Sequence, residues 1–503
     1  MAAGGHEREY KFAVPAEWAV PPLDDLCVAD TETAAEQTAT YYDTPDLRLT
    51  RAGASLRYRS DDGWTVKLPV DDHAHGMLVR AEHVFGGTAA VPPAAALELV
   101  AARVRTARLA PVARLHTLRR SITLRTAAPR GDVAAGHPLG VLTDDQCTVL
   151  EGFQREQFHE VEFELADDAP GDLVDAVAHR LREAGARDTS DTPKVKRALG
   201  PAATAPPDVV SYPVDTPATV EAVIRHALSD AVCKLVVSDP VVRIGEDIEG
   251  VHQARVATRR LRSHLRTFRA QLEPAWAEEL RTELGWLGTE LGAVRDADVL
   301  LDRLQRRVAD LDEPDRAAAQ PLLDRLGGQQ CAARVVLLEG MRSPRYLQLL
   351  DRLVEAAHRP QVVMRVAGND DAELRALVRR PWRQLRTAVA ALPDPAPDPA
   401  LHAVRIRAKR ARYATEVVEP AFGSPARDLA KALARVQDVL GEHQDAVIAG
   451  AWLRATALTL SDPAAVYAAG ELGAAERTAA EVSRAAWPAA WKAVGHKRLR
   501  GWL

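Results

Sequence analysis

Apolar and polar residues alternate with a period of two through much of the first 200 residues. The stretch HEREYKF near the N-terminus is the clearest case, because Glu7, Glu9 and Lys11 fall on one face of an extended strand and Tyr10 and Phe12 on the other. Turn-forming residues separate the alternating segments, which lie at about 7–14, 55–59, 64–68, 78–85, 118–125 and 159–165. Many antiparallel strands at short spacing predict a β-barrel or a β-sandwich.

The remainder of the chain follows the helical period. A stretch at 200–217 is rich in Pro and Ala and carries little charge, which indicates a domain boundary. A second Pro-rich break at 392–400 divides the helical region. The expected domains are a β domain at 1–200, a linker at 201–216 and an all-helical domain at 217–503, made of two repeats at about 217–370 and 371–503.

The helical region contains an internal duplication. The segment VHQARVATRRLR, which begins at Val251, aligns without a gap with LHAVRIRAKRAR, which begins at Leu401. A second pair, LGAVRDADV from Leu291 and LGEHQDAVI from Leu440, follows in the same order and at a similar distance. Two matched blocks in one order indicate two helical bundles related by pseudo-symmetry.

Length and composition are those of an ordinary globular protein. The 503 residues suggest roughly two to four domains, and the 47% apolar content allows sizeable cores. The four cysteines lie far apart in the sequence, so neither a CxxC metal site nor a disulfide framework is expected. The N-terminus has no signal-like apolar region, and no apolar run reaches about 18 residues. We therefore expect a cytoplasmic protein with no membrane partner.

The polar faces of the predicted strands carry aligned charges instead of the usual mixture. These charges are Glu7, Glu9 and Lys11, then Arg57 and Arg59, Lys67, Arg80 and Glu82, Arg119, and finally Glu160, Glu162 and Glu164. Exposure to solvent explains any one such face. If the sheet closes into a barrel, however, the faces form an interior with a carboxylate patch suited to Mg²⁺ or Mn²⁺ and a basic patch suited to a polyanion.

Taken in order, the motifs of this half resemble those of the CYTH domain, which belongs to the triphosphate tunnel metalloenzymes. The motifs are ExExK from Glu7, YYDTPDLRL from Tyr41, LRYR from Leu56, TVKLP from Thr65, VRAEH from Val79, EVEFEL from Glu160 and the tail from Lys194 to Gly200. The resemblance implies an eight-stranded antiparallel β-barrel tunnel that binds a triphosphate and a divalent metal. The expected fold class is therefore α+β and multidomain.

The same resemblance implies roles for individual residues. The expected catalytic residues are Glu7, Glu9 and Lys11. The expected substrate ligands are Lys11, Arg57, Arg59, Lys67, Arg80, Arg119, Lys194 and Arg197. The expected metal ligands are Glu7, Glu9, Asp144, Glu160 and Glu162, with Glu82, Asp145 and Glu164 in supporting positions. Strand parity favours Asp144 as the tunnel residue, whereas motif spacing to the next apolar residue favours Asp145.

Two predicted helices carry basic stripes at helical spacing. The stripes consist of His252, Arg255, Arg259 and Arg262 and of His402, Arg405, Lys409 and Arg412. A solvated helix face usually mixes signs, because opposite charges at i,i+4 stabilise it, so a linear polyanion is the expected partner. Nucleic acid is disfavoured because aromatic residues for base stacking are not interleaved. Inorganic polyphosphate fits better.

The duplicated HxxRxxx[RK]RxR motif and the two LG…DA segments resemble the CHAD domain, an all-helical family with two bundles around a basic cavity that is associated with polyphosphate binding. By this resemblance the residues of the two stripes contact phosphate. Asp296 and Asp445, in the LG…DA segments, are expected to be structural and to pair with nearby arginines.

The combined expectation is a hydrolase that cleaves inorganic triphosphate with Mg²⁺ or Mn²⁺ in the tunnel and binds polyphosphate through its helical domain. Polyphosphate binding would also place it at polyphosphate granules. Two alternatives stay open. One is a nucleotide or thiamine triphosphate enzyme, either adenylate cyclase-like or a thiamine triphosphatase, and the other is a non-catalytic polyphosphate-binding scaffold.

Overall fold

The computed structural model describes residues 4–70, 78–129, 134–153, 155–188, 193–363 and 369–503. The chain divides into two compact units, Met1–Asp208 and Val209–Leu503. The division falls inside the stretch expected as the linker. The first part of that stretch forms a 3₁₀ turn, Gly200–Thr204, whose Ala203 is buried among residues of the first unit.

The first unit is built on ten strands. They are β1 (Gly4–Val14), β2 (Cys27–Ala29), β3 (Thr33–Asp43), β4 (Ser55–Arg59), β5 (Gly63–Pro69), β6 (Leu78–Phe85), β7 (Ala110–Thr126), β8 (Pro138–Glu151), β9 (Gln157–Leu165) and β10 (Arg187–Asp188). Within the described residues, eight of them form an antiparallel ring in the order β1-β6-β5-β4-β3-β7-β8-β9. The ring closes because β1 pairs with β6 through its first half and with β9 through its second half. This confirms the predicted eight-stranded barrel.

The apolar faces of the strands point outward and are covered by helices. The first unit also contains α1 (Arg48–Arg51), α2 (Ala94–Val104), α3 (Gly171–Glu183) and α4 (Lys194–Leu199). Phe12 and Phe163 lie in one buried cluster with Val177 and Leu181 of α3. Because burial of these apolar side chains drives the packing, the alternate, charged side chains of the same strands point into the barrel.

Helix α4 packs against apolar side chains at one end of the barrel interior. Its Val195 and Ala198 belong to a buried cluster with Ala39 and Leu115, which lie on β3 and β7. Ala39, Leu115 and Val195 also line the interior cavity. The helix therefore brings its first residue, Lys194, to the charged part of the tunnel.

The second unit is all-helical. Its helices are α5 (Val220–Ile244), α6 (Ile248–Thr267), α7 (Pro274–Ala309), α8 (Glu313–Arg342), α9 (Pro344–His358), α10 (Asp370–Ala390), α11 (Asp398–Val417), α12 (Glu419–Phe422), α13 (Ser424–Ala457), α14 (Pro463–Val494) and α15 (Lys497–Arg500). No helix in the described part of the chain is long and apolar enough to cross a membrane.

The duplication is visible in the helix lengths. Helices α5, α6, α7 and α8 have 25, 20, 36 and 30 residues, and α10, α11, α13 and α14 have 21, 20, 34 and 32. The duplicated basic stripes lie on α6 and α11, which pack against each other. Helix α14 packs on α7 and α8, so all three of these contacts join the two repeats.

Candidate functional site

The barrel interior is a cavity of about 280 Å³ lined mostly by charged side chains. Its lining includes the cations Lys11, Arg57, Arg59, Lys67, Arg80, Arg119 and Lys194 and the acids Asp62, Glu82, Glu162 and Glu164. Cross-strand pairing produces this arrangement, because residues directly opposite each other in a ladder share a face. Glu82 of β6 lies opposite Lys67 of β5, for example, and Arg119 of β7 lies opposite Asp145 of β8.

One wall of the tunnel, formed by β4, β5 and β6, is basic. It carries Arg57, Arg59, Lys67 and Arg80. Glu82 lies among these residues, with its carboxylate 3.1 Å from Nζ of Lys67 and 3.7 Å from Nη2 of Arg57. This carboxylate therefore contacts two cations of the basic wall.

Asp62 is a tunnel residue that the sequence analysis missed. Its carboxylate accepts a hydrogen bond of 3.0 Å from Nη2 of Arg59 and lies 3.6 Å from Nη2 of Arg57. Asp61 and Asp62 precede Gly63 and read as turn residues, yet the spacing of three between Arg59 and Asp62 could have indicated the ion pair. Burial lowers the pKa of Arg59, and neighbouring Arg57 lowers it further.

The opposite wall, formed by β8 and β9, is acidic and surrounds Lys194. Nζ of Lys194 lies 2.8 Å from Asp145, 2.8 Å from Glu160 and 2.9 Å from Glu162. Burial alone would lower the pKa of Lys194, but these three carboxylates outweigh it and raise the pKa well above its usual value. The ammonium is therefore charged at neutral pH and neutralises the cluster.

Two more cations hold the same carboxylates in their ionised form. Arg119 donates to both oxygens of Asp145, at 2.8 and 2.5 Å, and one of its nitrogens lies 3.2 Å from Glu162. Lys11 donates a hydrogen bond to Glu162. Burial raises the pKa of Glu162, but Lys11, Lys194 and Arg119 reverse that effect and hold it well below the usual value. The pKa of Asp145 is lowered in the same way, by Lys194 and Arg119 against burial.

Asp145, and not Asp144, faces the tunnel. Asp145 is opposite Glu160 in the β8–β9 ladder, and its side chain contacts Arg119 and Lys194. Asp144 points to the other face, where its carboxylate bonds to Nε2 of His159. The expectation of Asp144 as a metal ligand is therefore wrong, because successive residues of a strand point to opposite faces and pairing with β9 sets which of the two faces inward.

The remaining predicted tunnel residues lie at the edges of this network. Glu9 is buried and accepts a hydrogen bond of 2.7 Å from Arg80, and it lies 3.4 Å from Nζ of Lys11. Glu7 lies opposite Arg80 in the β1–β6 ladder, and its side chain is outside the described part of the structure. Arg197 of α4 lies 3.4 Å from Glu160 and 4.1 Å from the centroid of the Phe158 ring.

The acidic wall has the donor chemistry of a site for a hard divalent cation. Asp145, Glu160 and Glu162 direct carboxylate oxygens to within 2.9 Å of one positive centre, the Lys194 ammonium. Clusters of oxygen ligands suit Mg²⁺ and ions like it. Within the described residues, no group of three His, Cys, Asp or Glu side chains is already arranged as a metal centre. A metal ion would therefore reach these oxygens only if the Lys194 ammonium moved away from them.

In the helical unit the two basic stripes meet around Tyr413. Its ring centroid lies 5.7 Å from the guanidinium of Arg259 on α6, and 5.9 and 5.6 Å from the cationic groups of Lys409 and Arg412 on α11. These separations allow cation–π attraction. In the sequence Tyr413 has no evident role, because a single aromatic residue does not make a base-stacking surface.

Lys409 is the cation most affected by this crowding. Burial lowers its pKa, and Arg259, Arg405, Arg255 and Arg412 lower it further, to about 7. Like charges and loss of water both penalise the ammonium. A bound polyanion would relieve the repulsion, which makes this surface receptive to one.

The other stripe residues contact the second motif of each repeat. Arg255 pairs with Asp296 at 2.8 Å, as expected of a structural acid. Arg255 and Arg405 also occupy equivalent positions against Gly292 and Gly441, where a Cβ atom would lie 3.8 and 3.6 Å from their Nε atoms. Among the other predicted ligands, Arg262 lies beside Gly288 and Arg412 pairs with Glu416. Burial lowers the pKa of His252. Nδ1 of His402 has no hydrogen-bond partner among the described residues.

Comparisons with known proteins agree with this division of the chain. The CYTH domain model matches residues 5–197, and the CHAD domain model matches residues 226–454. The Mycobacterium tuberculosis proteins MT2285 and Rv2226 are each 32% identical to the chain over 473 residues, which cover 88% of this chain and 87% of theirs.

Similar solved structures include PptA from Streptomyces chartreusis, with 27% identity and a TM-score of 0.48, covering 55% of this chain and 100% of that one. The CHAD domain from the plant Ricinus communis has 28% identity and a TM-score of 0.44, covering 55% of this chain and 96% of that one. The two domain matches and the relatives of similar length show that this chain belongs to the CYTH–CHAD family, in which a triphosphate tunnel enzyme domain is joined to a CHAD domain.

Proposed function

We propose that the barrel hydrolyses inorganic triphosphate with the help of Mg²⁺ or Mn²⁺. The observation that carries the proposal is the separation of charge inside a cavity of about 280 Å³, with a basic wall on β4, β5 and β6 and an acidic wall on β8 and β9. Pockets for drug-sized organic ligands are usually about 300–1,000 Å³. The cavity lies at the lower end of this range, and its charged lining favours a compact, highly charged substrate.

In this proposal different tunnel residues have different roles in the reaction. Arg57, Arg59, Lys67 and Arg80 bind non-bridging oxygens and reduce the repulsion that a triphosphate exerts on an attacking water. Glu9, Asp145, Glu160 and Glu162 are the residues that would hold a divalent cation, which stabilises charge on the leaving group when bound. Lys194, released from these carboxylates, joins Lys11 and Arg119 as a phosphate ligand. We assign to Glu164, which lines the cavity, the role of accepting the proton of a water that attacks in line.

The apolar end of the tunnel favours a second candidate function. Tyr41, Leu115 and Val195 line the cavity beside α4, and such side chains suit an organic group attached to the phosphates. A nucleotide or thiamine triphosphate enzyme would use this end for the base or the thiamine moiety. The charged lining is the larger part of the cavity, so inorganic triphosphate remains our first candidate.

We infer that the helical unit binds inorganic polyphosphate through the stripes on α6 and α11. The repulsion around Lys409 supports this proposal, because four arginines surround it and a polyanion would satisfy all five groups at once. Phosphate chains have no bases to stack, which agrees with the shortage of exposed aromatic rings beside the stripes.

The catalytic proposal is tested by incubating the full chain with triphosphate, ATP, thiamine triphosphate or long polyphosphate in the presence of Mg²⁺ or Mn²⁺. We expect phosphate release from triphosphate that is lost in Glu162→Gln and kept in Glu151→Gln, a change at the exposed end of β8. Cyclic AMP formation from ATP would overturn the hydrolase, and polyphosphate binding without turnover of any substrate would favour the scaffold.

Polyphosphate binding is tested separately with the double variant Arg255→Gln/Arg405→Gln. Its affinity for long polyphosphate should fall, with the larger loss at low salt, because counterion release makes such contacts salt-dependent. Unchanged affinity at every salt concentration would contradict the assignment.

A further inference from the structure

Helices α10 and α11 form a second basic groove, and of its arginines only Arg410 belongs to the duplicated motif. The groove is a cavity of about 730 Å³ whose lining contains four arginines, Arg380 and Arg383 of α10 and Arg407 and Arg410 of α11. The rest of its lining is uncharged: Gln384, Thr387, Ala388 and Ala391. Along α10 and its C-cap the lining positions extend from residue 380 to residue 391, which corresponds to about 16 Å of helix.

The groove lies on a different side of α11 from the predicted polyphosphate stripe. At about 100° per residue, Arg407 is roughly 160° around the helix axis from both Arg405 and Lys409. Both sides flank the buried face that carries Val404 and Ala411. A ligand in the groove therefore cannot be held by the same side chains that surround Tyr413.

The charge of the groove lacks the compensation that a solvated helix face normally has. Arg380, Arg383 and Arg410 form no ion pair with any side chain in the described part of the chain, and Arg407 donates only to the carbonyl of Ala403, at 3.1 Å. The sequence has no acid at 374–392 or at 399–415. Because neighbouring like charges repel, four arginines facing one cavity lower the stability of the empty state and favour an anion.

The equivalent helix of the first repeat does not carry the same pair of arginines. The gapless alignment of the stripes places Ala257 of α6 at the position of Arg407 and Arg260 at that of Arg410. Ala257 is fully buried, and Arg260 lies 3.6 Å from Glu416. Arg407 is thus particular to the second repeat, since the shared helical architecture does not require an arginine at its position.

We propose that the groove between α10 and α11 is a second polyanion-binding site that takes a short stretch of linear polyphosphate independently of the α6–α11 stripes. The proposal rests on the phosphate-polymer binding proposed above for the helical unit. Guanidinium groups recognise phosphate oxygens through paired hydrogen bonds. The open groove suits a chain that passes along it, and the small side chains in its lining, Ala388 and Ala391, leave room for one.

The test counts the short, length-fractionated polyphosphate chains that the full protein binds at saturation, by isothermal titration calorimetry. Arg383→Gln/Arg407→Gln removes the groove, and Arg405→Gln/Lys409→Gln removes part of the stripes. Arg306→Gln/Arg316→Gln is the matched control, because it removes two charges from exposed arginines of α7 and α8 that have local partners. Thermal unfolding of each variant verifies the fold.

We expect the groove variant to bind one chain fewer than the wild type, the stripe variant also to bind one fewer, and the control to match the wild type. For long polyphosphate, we compare the slope of the logarithm of the binding constant against the logarithm of the salt concentration. In the groove variant this slope should be shallower by about two, because each missing guanidinium leaves one phosphate without a protein cation. Arg383→Lys/Arg407→Lys should keep the stoichiometry and the salt dependence, since the charge remains, and should bind more weakly, since an ammonium cannot make the paired hydrogen bonds of a guanidinium.

Three results would contradict the proposal of a binding site in the groove. An unchanged stoichiometry and salt dependence in the groove variant, with binding reduced in the stripe variant, would leave the proposed function intact and remove only this site. Loss of all binding in either variant alone would indicate one continuous site. A wild type that binds no polyphosphate would reject the proposed function and the groove together.

Discussion

Nζ of Lys194 lies 2.8 Å from a carboxylate oxygen of Asp145, deep in a barrel whose wall does not include Lys194. The lysine is the first residue of α4, and Val195 and Ala198 anchor that helix among inner-face apolar residues of the barrel. The cation that neutralises the acidic wall is therefore supplied by a helix at the end of the tunnel, in the place where carboxylate chemistry would also admit a divalent metal.

Lys194→Met should make the barrel more dependent on metal. Removal of one partner from a buried ion cluster costs about 3–5 kcal/mol, so the midpoint of thermal unfolding should fall in EDTA. Mn²⁺ should then raise that midpoint more in the variant than in the wild type, because it binds the uncompensated carboxylates of the folded state. Lys196→Met on the same helix is the control. An equal response to Mn²⁺ in all three proteins would show that ammonium and metal do not compete.

Asp145→Asn and Asp144→Asn should separate activity from stability. Loss of the tunnel carboxylate is expected to reduce kcat/KM for triphosphate by about 100-fold or more, comparable with the removal of one preorganised electrostatic interaction. Asp144→Asn, which affects the bond to His159 on the outer face, should retain activity and lose about 1–3 kcal/mol of unfolding free energy. Steady-state kinetics of both variants, measured well below their unfolding temperatures, give the comparison. A larger loss of kcat/KM in Asp144→Asn than in Asp145→Asn would reverse the assignment of faces.

Polyphosphate binding should strengthen as the pH falls from about 8 to about 6. Burial and the surrounding arginines lower the pKa of Lys409 to about 7, so its ammonium is present below that pH and lost above it. A bound polyanion favours the charged form, and binding at about pH 8 should therefore take up a proton. Calorimetry in buffers of different ionisation enthalpy measures this uptake.

Lys409→Met supplies the control for that experiment. This variant should flatten the dependence of polyphosphate affinity on pH and abolish the proton uptake. The terminal phosphates of the ligand also titrate, so long chains are used to keep their contribution small. A profile that stays steep in Lys409→Met would assign the titration to another group.

Glu476→Gln should destabilise the helical unit much more than Glu442→Gln. The fully buried Glu476 of α14 accepts hydrogen bonds of 2.7 Å from Arg303 and 3.0 Å from Arg307 of α7, and so joins the two repeats. Breaking such a pair costs about 3–5 kcal/mol. Glu442 also pairs with Arg303 but is half exposed, and its loss should cost about 0–1 kcal/mol. Urea unfolding of both variants gives the comparison, and equal losses would contradict the role of burial.

The alternation of charged and apolar residues was enough to predict strands with one charged face, in a barrel or a sandwich, and the resemblance to the CYTH domain implied the closed barrel. The alternation also identified the acids of β9 and the bases of β4, β5 and β6 as groups that share a face, since a period of two places alternate residues together. The duplicated stripes likewise predicted two equivalent helices, because a spacing of three and four residues marks one helical face. These features depend only on local geometry, which the order of residues determines.

Pairing and packing decided the rest. Alternation places Asp144 and Asp145 on opposite faces, but only the ladder that sets Asp145 opposite Glu160 selects the inward one. The contacts of Lys194 and Tyr413 join elements that lie far apart in the sequence, and no local periodicity encodes such distances. The groove between α10 and α11 arises in the same way, because its arginines converge only when two helices pack. The sequence by itself determined which residues share a face, and the tertiary structure determined what each face meets.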